Sequence, residues 1–121
     1  FDLPTSRYFA IWDKENYGLS FAECEYAWVR SGGTRIFKKS PVQLHRFHPT
    51  QKPVKLYEWL LKTYAIPTDK VLDTHFGSCS IGIACKNFGC TLDACEIDKE
   101  YYDKAVKRLK EEFRNQDLFR P

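Results

Sequence analysis

The chain has 121 residues, 43% of them hydrophobic and 29% charged, with a formal net charge of +3. That describes one globular domain able to bury a core, and it excludes a disordered or fibrous chain. No apolar run approaches the roughly 20 residues of a membrane-spanning helix, and no basic-then-apolar signal segment is present, so no membrane partner is expected.

Arg7–Trp12 is a short apolar run that reads as a buried strand, and Asp13–Ser20, with Asn16 and Gly18, supplies turn chemistry. Cys24–Val29 reads as a second strand, and Ser31-Gly32-Gly33 turns the chain into Thr34–Lys38, its expected hairpin partner. Ser40–Gln51 is irregular and basic, and His45 belongs to that segment. A helix follows at Val54–Tyr64, with Val54, Tyr57, Leu61 and Tyr64 on one face and Pro53 suited to its first position. Lys70–Asp73 is a short strand. Ile81, Ala84, Cys85 and Phe88 fall at helical spacing, and Gly89 is placed to cap their helix. Thr91–Ile97 is a strand, and Asp98 can cap a last helix with Tyr102, Ala105, Val106, Leu109 and Phe113 as its core face. Helix–strand–helix–strand–helix is an α/β pattern with parallel pairing.

Two compositional features bear on setting and partners. The five cysteines are an odd number without a tight framework, which points to reduced thiols in a cytoplasmic protein. Cys85, Cys90 and Cys95 lack the paired short spacings of a zinc site and read as small buried hydrophobes, so no metal is expected. From Tyr26 to Tyr57 there is no Asp or Glu, while Arg30, Arg35, Lys38, Lys39, Arg46, Lys52 and Lys55 contribute +7; the other 89 residues net −4. A positive block on a mildly negative body suits either a polyanion such as DNA or a solvated loop between strands.

The stretch Asp73-Thr74-His75-Phe76-Gly77-Ser78-Cys79-Ser80 places an acid at a strand end, then a glycine turn, then a helix start. Glu96, 19 residues past Gly77, stands at the tip of the next strand. This layout binds an adenosine-containing cofactor: the turn lets a ligand approach the backbone, and the second carboxylate accepts from ribose hydroxyls. A dinucleotide fingerprint would read G-x-G-x-x-G, but here it is G-x-C-x-x-G. The Cys79 side chain is expected to crowd a diphosphate, and no Lys or Arg in the loop balances its charge. Asp73 suits a cation. S-adenosylmethionine, with a ribose, a sulfonium and an ammonium but no phosphate, fits better than NAD. The alternative is an α/β turn that binds nothing. His75 is either a ligand contact or a polar loop residue.

These segments resemble the DNA adenine methyltransferases of phage and bacterial type, in the circular order that places the cofactor-binding part last. His48–Pro53, H-P-T-Q-K-P, is similar to the family's segment lining the methionine end of the cofactor. Asp73–Ser80 is similar to its D-x-F-x-G-S-G loop, with Cys79 at the second glycine, and Cys95–Asp98 to its ribose-binding strand end. The resemblance implies a Rossmann-like methyltransferase fold, mostly parallel with helices on both faces, and S-adenosylmethionine as cofactor. It implies contacts from His48, Thr50, Gln51, Lys52, Pro53, Asp73, His75, Phe76, Gly77, Ser78, Cys79, Glu96 and Ile97. It also implies double-stranded DNA as partner, met by Arg30, Arg35, Lys38, Lys39 and Arg46, in a bacterial or phage-infected cell.

The family transfers a methyl group to the exocyclic amine of adenine with a D-P-P-Y-type motif. Asp2-Leu3-Pro4-Thr5 lacks the second proline and the aromatic and is rejected, so no catalytic residue is assigned. With its start at Phe1 and no Met, the chain reads as part of a longer product whose catalytic motif lies upstream. It is expected to be a partial domain, inactive alone, with strands and basic loop over 1–47 and the cofactor half over 48–121. A non-catalytic nucleotide- or nucleic-acid-binding α/β module is the alternative. Asp13, at the end of the first strand, shapes either a target-base pocket or a surface turn. The family sheet has seven strands and five are found here, so an open strand edge is expected to drive self-association. Light scattering should then give a mass that rises with concentration; a constant monomer mass overturns that expectation.

Overall fold

The computed structural model describes residues 3–43 and 46–118, so Asp2 and His45 lie outside the described residues. The chain divides into two compact units, Phe1–Val42 and Gln43–Pro121. The boundary falls ahead of the expected residue 47. The side chain of Gln43 ties it to the second unit: its Nε2 donates to the Gln51 carbonyl at 2.9 Å, and its Oε1 accepts from Gln51 Nε2 at 3.2 Å.

The first unit is a three-stranded sheet of β1 (Tyr8–Asp13), β2 (Cys24–Val29) and β3 (Arg35–Lys38) in the order β2-β1-β3. Ala10 and Trp12 of β1 are its buried residues, and Trp12 Nε1 donates to the Lys39 carbonyl at 2.7 Å. β2 runs antiparallel to β1, from Tyr8 opposite Val29 to Asp13 opposite Cys24. β3 is not the hairpin partner of β2 that the Ser31-Gly32-Gly33 turn suggests. It pairs parallel with β1, from Ala10 opposite Arg35 to Asp13 opposite Lys38. The physical reason is that β1, the most apolar strand, is paired along both edges. The connection from Val29 to Arg35 must therefore span about two strand spacings of ~4.8 Å rather than one. Gly32 and Gly33, both at positive φ, serve that wider turn.

The second unit comprises α1 (Val54–Tyr64), β4 (Lys70–Asp73), α2 (Ser80–Phe88), β5 (Thr91–Ala94) and α3 (Lys99–Leu118). β4 and β5 pair in parallel around α2, with Val71 opposite Leu92 and Asp73 opposite Ala94. Two of the three pairings among the described residues are thus parallel. α2 is the centre of the unit. Its residues Ser80–Cys85 are all buried, and α1, β5 and α3 all pack against it. The core joins Leu61, Phe76, Cys79, Ile81, Ala84, Cys85 and Ala105. Burial pushes the Cys85 thiol up to about 12.

Local chemistry accounts for the boundaries. Gly89 ends α2 at φ 96, and its N–H donates to the Cys85 carbonyl at 2.8 Å, a left-handed cap that a Cβ would strain. Asp98 Oδ1 accepts from Tyr101 N–H at 3.0 Å and starts α3. Pro53 stands one residue before its expected place, as the N-cap of α1. β5 stops at Ala94 rather than Ile97, because the chain turns where Glu96 Oε1 accepts from Asp98 N–H. Two expected core positions are exposed: Tyr64 at 38% and Tyr102 at 46%. The packed stripe of α1 instead uses Leu56 and Leu61, and that of α3 turns toward Tyr101, Ala105 and Leu109.

Candidate functional site

Parallel strands β4 and β5 end side by side, and the chain leaves β4 through Thr74–Cys79 before entering α2. The ladder continues past the strands: Cys95 N–H donates to the Asp73 carbonyl and Phe76 N–H to the Cys95 carbonyl, both at 3.0 Å. Gly77, at φ 54, then donates its N–H to Glu96 Oε2 at 2.8 Å. The His48 ring lies 3.7 Å from where a Gly77 Cβ would stand. Glycine is therefore the residue for this tip, because it takes the left-handed conformation without strain.

Beside the tip opens a cavity of about 430 Å³ lined by His48, Thr50, Lys52, Tyr57, Asp73, His75, Phe76, Gly77, Ser78 and Glu96. The H-P-T-Q-K-P segment and the Asp73 loop, separate in sequence, thus face one space. Arg46 donates to the carbonyls of His48, at 3.1 Å, and of Pro49. His48 Nδ1 accepts from Thr50 N–H at 3.2 Å, and its ring sits 4.3 Å from that of Tyr101 on α3. Asp73 Oδ1 accepts from His75 N–H at 2.9 Å.

Four of the expected cofactor residues do not line the cavity. Gln51 is buried and bonds Phe47 and Gln43; Pro53 is buried at the start of α1; Ile97 is fully exposed. Cys79 is corrected outright. It has left-handed backbone, φ 62, and its fully buried Sγ donates to the Ala105 carbonyl at 3.1 Å, so it does not crowd a ligand. Burial pushes its thiol up to about 11. The expected argument from crowding therefore drops out. What remains against a diphosphate is charge, since Asp73 and Glu96 face one lysine, Lys52.

The basic residues part company as well. Arg30, Arg35 and Lys38 are exposed in the first unit, with Lys39 partly buried and Lys38 3.9 Å from Asp13. Arg46 holds the His48 segment and is not free for phosphate. Asp13 builds a surface turn, accepting from Tyr17 Oη and from Glu15 N–H, which hold its carboxyl below the usual range and push Tyr17 up to about 12. No group of three His, Cys, Asp or Glu among the described residues is arranged to hold a metal ion.

Sequence reasoning missed Tyr57, Tyr101 and Arg108. Arg108 Nη1 donates to the Ser78 carbonyl at 2.8 Å and to Ser80 Oγ at 3.0 Å. The available signal was its place beside Ala105 and Leu109, a charged residue next to an apolar stripe.

Glu96 is the group through which pH reaches this loop. Backbone N–H bonds from Asp98 and then Gly77 hold its carboxyl below the ordinary value of 4.5. A depressed folded-state pKa contributes stability above the unfolded value that is lost as pH falls through the folded one. In urea unfolding, Glu96→Gln is therefore expected to be less stable than the parent at pH 7 and to converge with it below about pH 4. A gap that stays constant with pH counts against the carboxylate lock.

Comparison with known proteins places this geometry. A family model described as a DNA methylase of the N6/N4 type matches residues 7–107. The chain is 39% identical over 70 residues to Type II methyltransferase M.HpaI of Haemophilus parainfluenzae, covering 58% of this chain and 22% of that protein. It is 38% identical over 64 residues to M.HinfI of Haemophilus influenzae, covering 53% and 18% respectively. These matches thus span under a quarter of the relatives' lengths. Among solved structures, the crystal structure of an M1.HpyAVI–SAM complex is similar at TM-score 0.69 and 29% identity, over 84% of this chain and 60% of that one. TTHA0409 of Thermus thermophilus, described as a DNA modification methylase complexed with S-adenosyl-L-methionine, shares the fold at TM-score 0.56 and 18% identity, over 86% and 52%. With the family model covering most of its length, the chain belongs to the N6/N4 DNA methylase family.

Proposed function

We propose that this chain is the cofactor-binding portion of an S-adenosylmethionine-dependent DNA methyltransferase that modifies the exocyclic amine of adenine. The observation that carries the reading is the shared cavity, in which the Asp73 loop, Glu96 and the His48–Lys52 segment converge. The donor set fits the cofactor. Asp73 and Glu96 exceed the single Lys52, which favours a ligand with cationic sulfonium and ammonium groups over a diphosphate. Each Glu96 oxygen holds one N–H and keeps acceptor capacity for a ribose hydroxyl. Lys52 is the cation in the lining suited to a carboxylate. When bound, the cofactor supplies an electrophilic methyl group. The chain's own task is to hold the ligand against Gly77 and Ser78 and to orient it between the Glu96 and Lys52 ends. The M1.HpyAVI relative, named as a complex with this cofactor, supports the assignment. Adenine as target rests on the resemblance of the H-P-T-Q-K-P and D-T-H-F-G-S segments. No D-P-P-Y motif occurs among the 121 residues, so methyl transfer is proposed for a protein that carries one. A cytoplasmic setting accords with DNA as substrate, and no helix among the described residues is long and apolar enough to cross a membrane.

Calorimetric titration tests the cofactor reading. Saturable binding of S-adenosylhomocysteine is expected, with none of NAD. Asp73→Ala should weaken it by about tenfold or more, the scale of a lost charged hydrogen bond. Equal binding of both ligands, or of neither, overturns it.

For DNA, the first unit's exposed cations support phosphate contact. Neutralising Arg30, Arg35, Lys38 and Lys39 together should weaken duplex binding and flatten its salt dependence, by about 0.9 in log–log slope for each phosphate no longer neutralised, with cofactor affinity unchanged. An unaltered slope removes these four from the DNA surface.

A further inference from the structure

The loop that borders the cavity is fastened from two sides, and only one of them is the sheet. On the strand side, Phe76 and Gly77 bond Cys95 and Glu96. On the helix side, α2 begins at Cys79 without a side-chain cap, since the thiol of Cys79 points away into the core. The start of α2 is instead reached by α3. Arg108 Nη1 sits 2.8 Å from the Ser78 carbonyl and 3.0 Å from Ser80 Oγ, one N–H for each acceptor. One turn earlier on α3, the Ala105 carbonyl accepts from Cys79 Sγ.

The neighbouring cations of α3 behave differently. Lys104 bonds Glu100 at 2.5 Å and Lys107 lies 4.0 Å from Glu111, both exposed i,i+4 pairs of the solvated face. Arg108 is partly buried and spends its charge on a main-chain carbonyl and a buried serine. Charge-assisted bonds of this kind are stronger than neutral ones, and the flat guanidinium loses less freedom in making them than an ammonium. Ser78 is itself a lining residue of the cavity, next to Gly77.

We propose that Arg108 is a positioning residue for the cofactor loop: it holds the Ser78 carbonyl and the Ser80 hydroxyl from α3, and so keeps Gly77 and Ser78 at the cavity wall. The effect on ligand affinity rests on the cofactor reading above; the effect on the loop does not.

The test pairs calorimetric titration of the chain with S-adenosylhomocysteine and amide hydrogen exchange of the free chain. Arg108→Ala is expected to weaken binding at least tenfold. It should also speed exchange at Cys79, Gly82 and Ile83, whose N–H groups bond across the loop–helix junction, while the β4–β5 amides stay unchanged. Arg108→Lys should recover part of both effects, and Lys104→Ala should alter neither. Unchanged binding by a wild-type-like Arg108→Ala overturns the proposal, as does exchange that accelerates equally through β4 and β5, the sign of a general structural role. If the parent chain binds no S-adenosylhomocysteine, the cofactor reading fails. Exchange then decides alone: acceleration confined to the junction supports the Arg108 role, and its absence removes it.

Discussion

The bond from Gly77 N–H to Glu96 Oε2 joins the turn after β4 to the end of β5, and the site is arranged around it. Parallel strands do not share a tight turn, so nothing in their ladder obliges the chain beyond them to stay together. Here the ladder is prolonged by Cys95 and Phe76, and the Glu96 carboxylate then takes one N–H on each oxygen, from Gly77 and Asp98. The same side chain therefore bends the chain into α3 and pins the loop into α2. With the tip fixed, Asp73 and Ser78 stand at one cavity, and the His48 ring can rest against Gly77.

The other wall depends on α2 being buried on all sides. A helix with Ser80, Gly82 and Ala84 among its first five residues lets its neighbours come close; a Cβ on Gly82 would lie 3.1 Å from Leu109. That close approach brings α3 near enough for Ala105 and Arg108 to reach the loop and for Tyr101 to pack on His48. Burial, loop geometry and ligand-facing surface are thus consequences of one packing arrangement. Cys79 illustrates the link: where a small residue with left-handed backbone is needed, its thiol is accommodated in the core rather than in the cavity.

In the first unit the governing fact is that β1 is paired along both edges. Its apolar run buries Ala10 and Trp12, and its end is closed by Asp13, whose carboxylate gathers Tyr17 Oη and Glu15 N–H into a turn. The cations of β3 and its approach are left outward, which is the placement an anionic partner requires.

Periodicity and turn chemistry determined the second unit nearly residue by residue. Val54–Tyr64, Lys70–Asp73 and the caps at Gly89 and Asp98 are local features, set by spacing, side-chain capping and backbone freedom within a few positions. The acid–glycine loop and the Glu96 position are equally local, so that motif is legible in the order of residues alone. What only the tertiary structure decided is which partner each group meets. Ser31-Gly32-Gly33 has the composition of a tight hairpin, yet β3 crosses to the far edge of β1 because burial of an apolar strand outweighs a turn preference. Arg46 looks like a phosphate ligand in a basic run and instead holds two carbonyls beside His48. Cys79 looks like a pocket residue and faces the core, while Arg108, one cation among several on a polar helix, holds the cofactor loop. Sequence spacing specifies which residues share a face; the direction in which that face points is settled by long-range packing, and the site's chemistry follows from that direction.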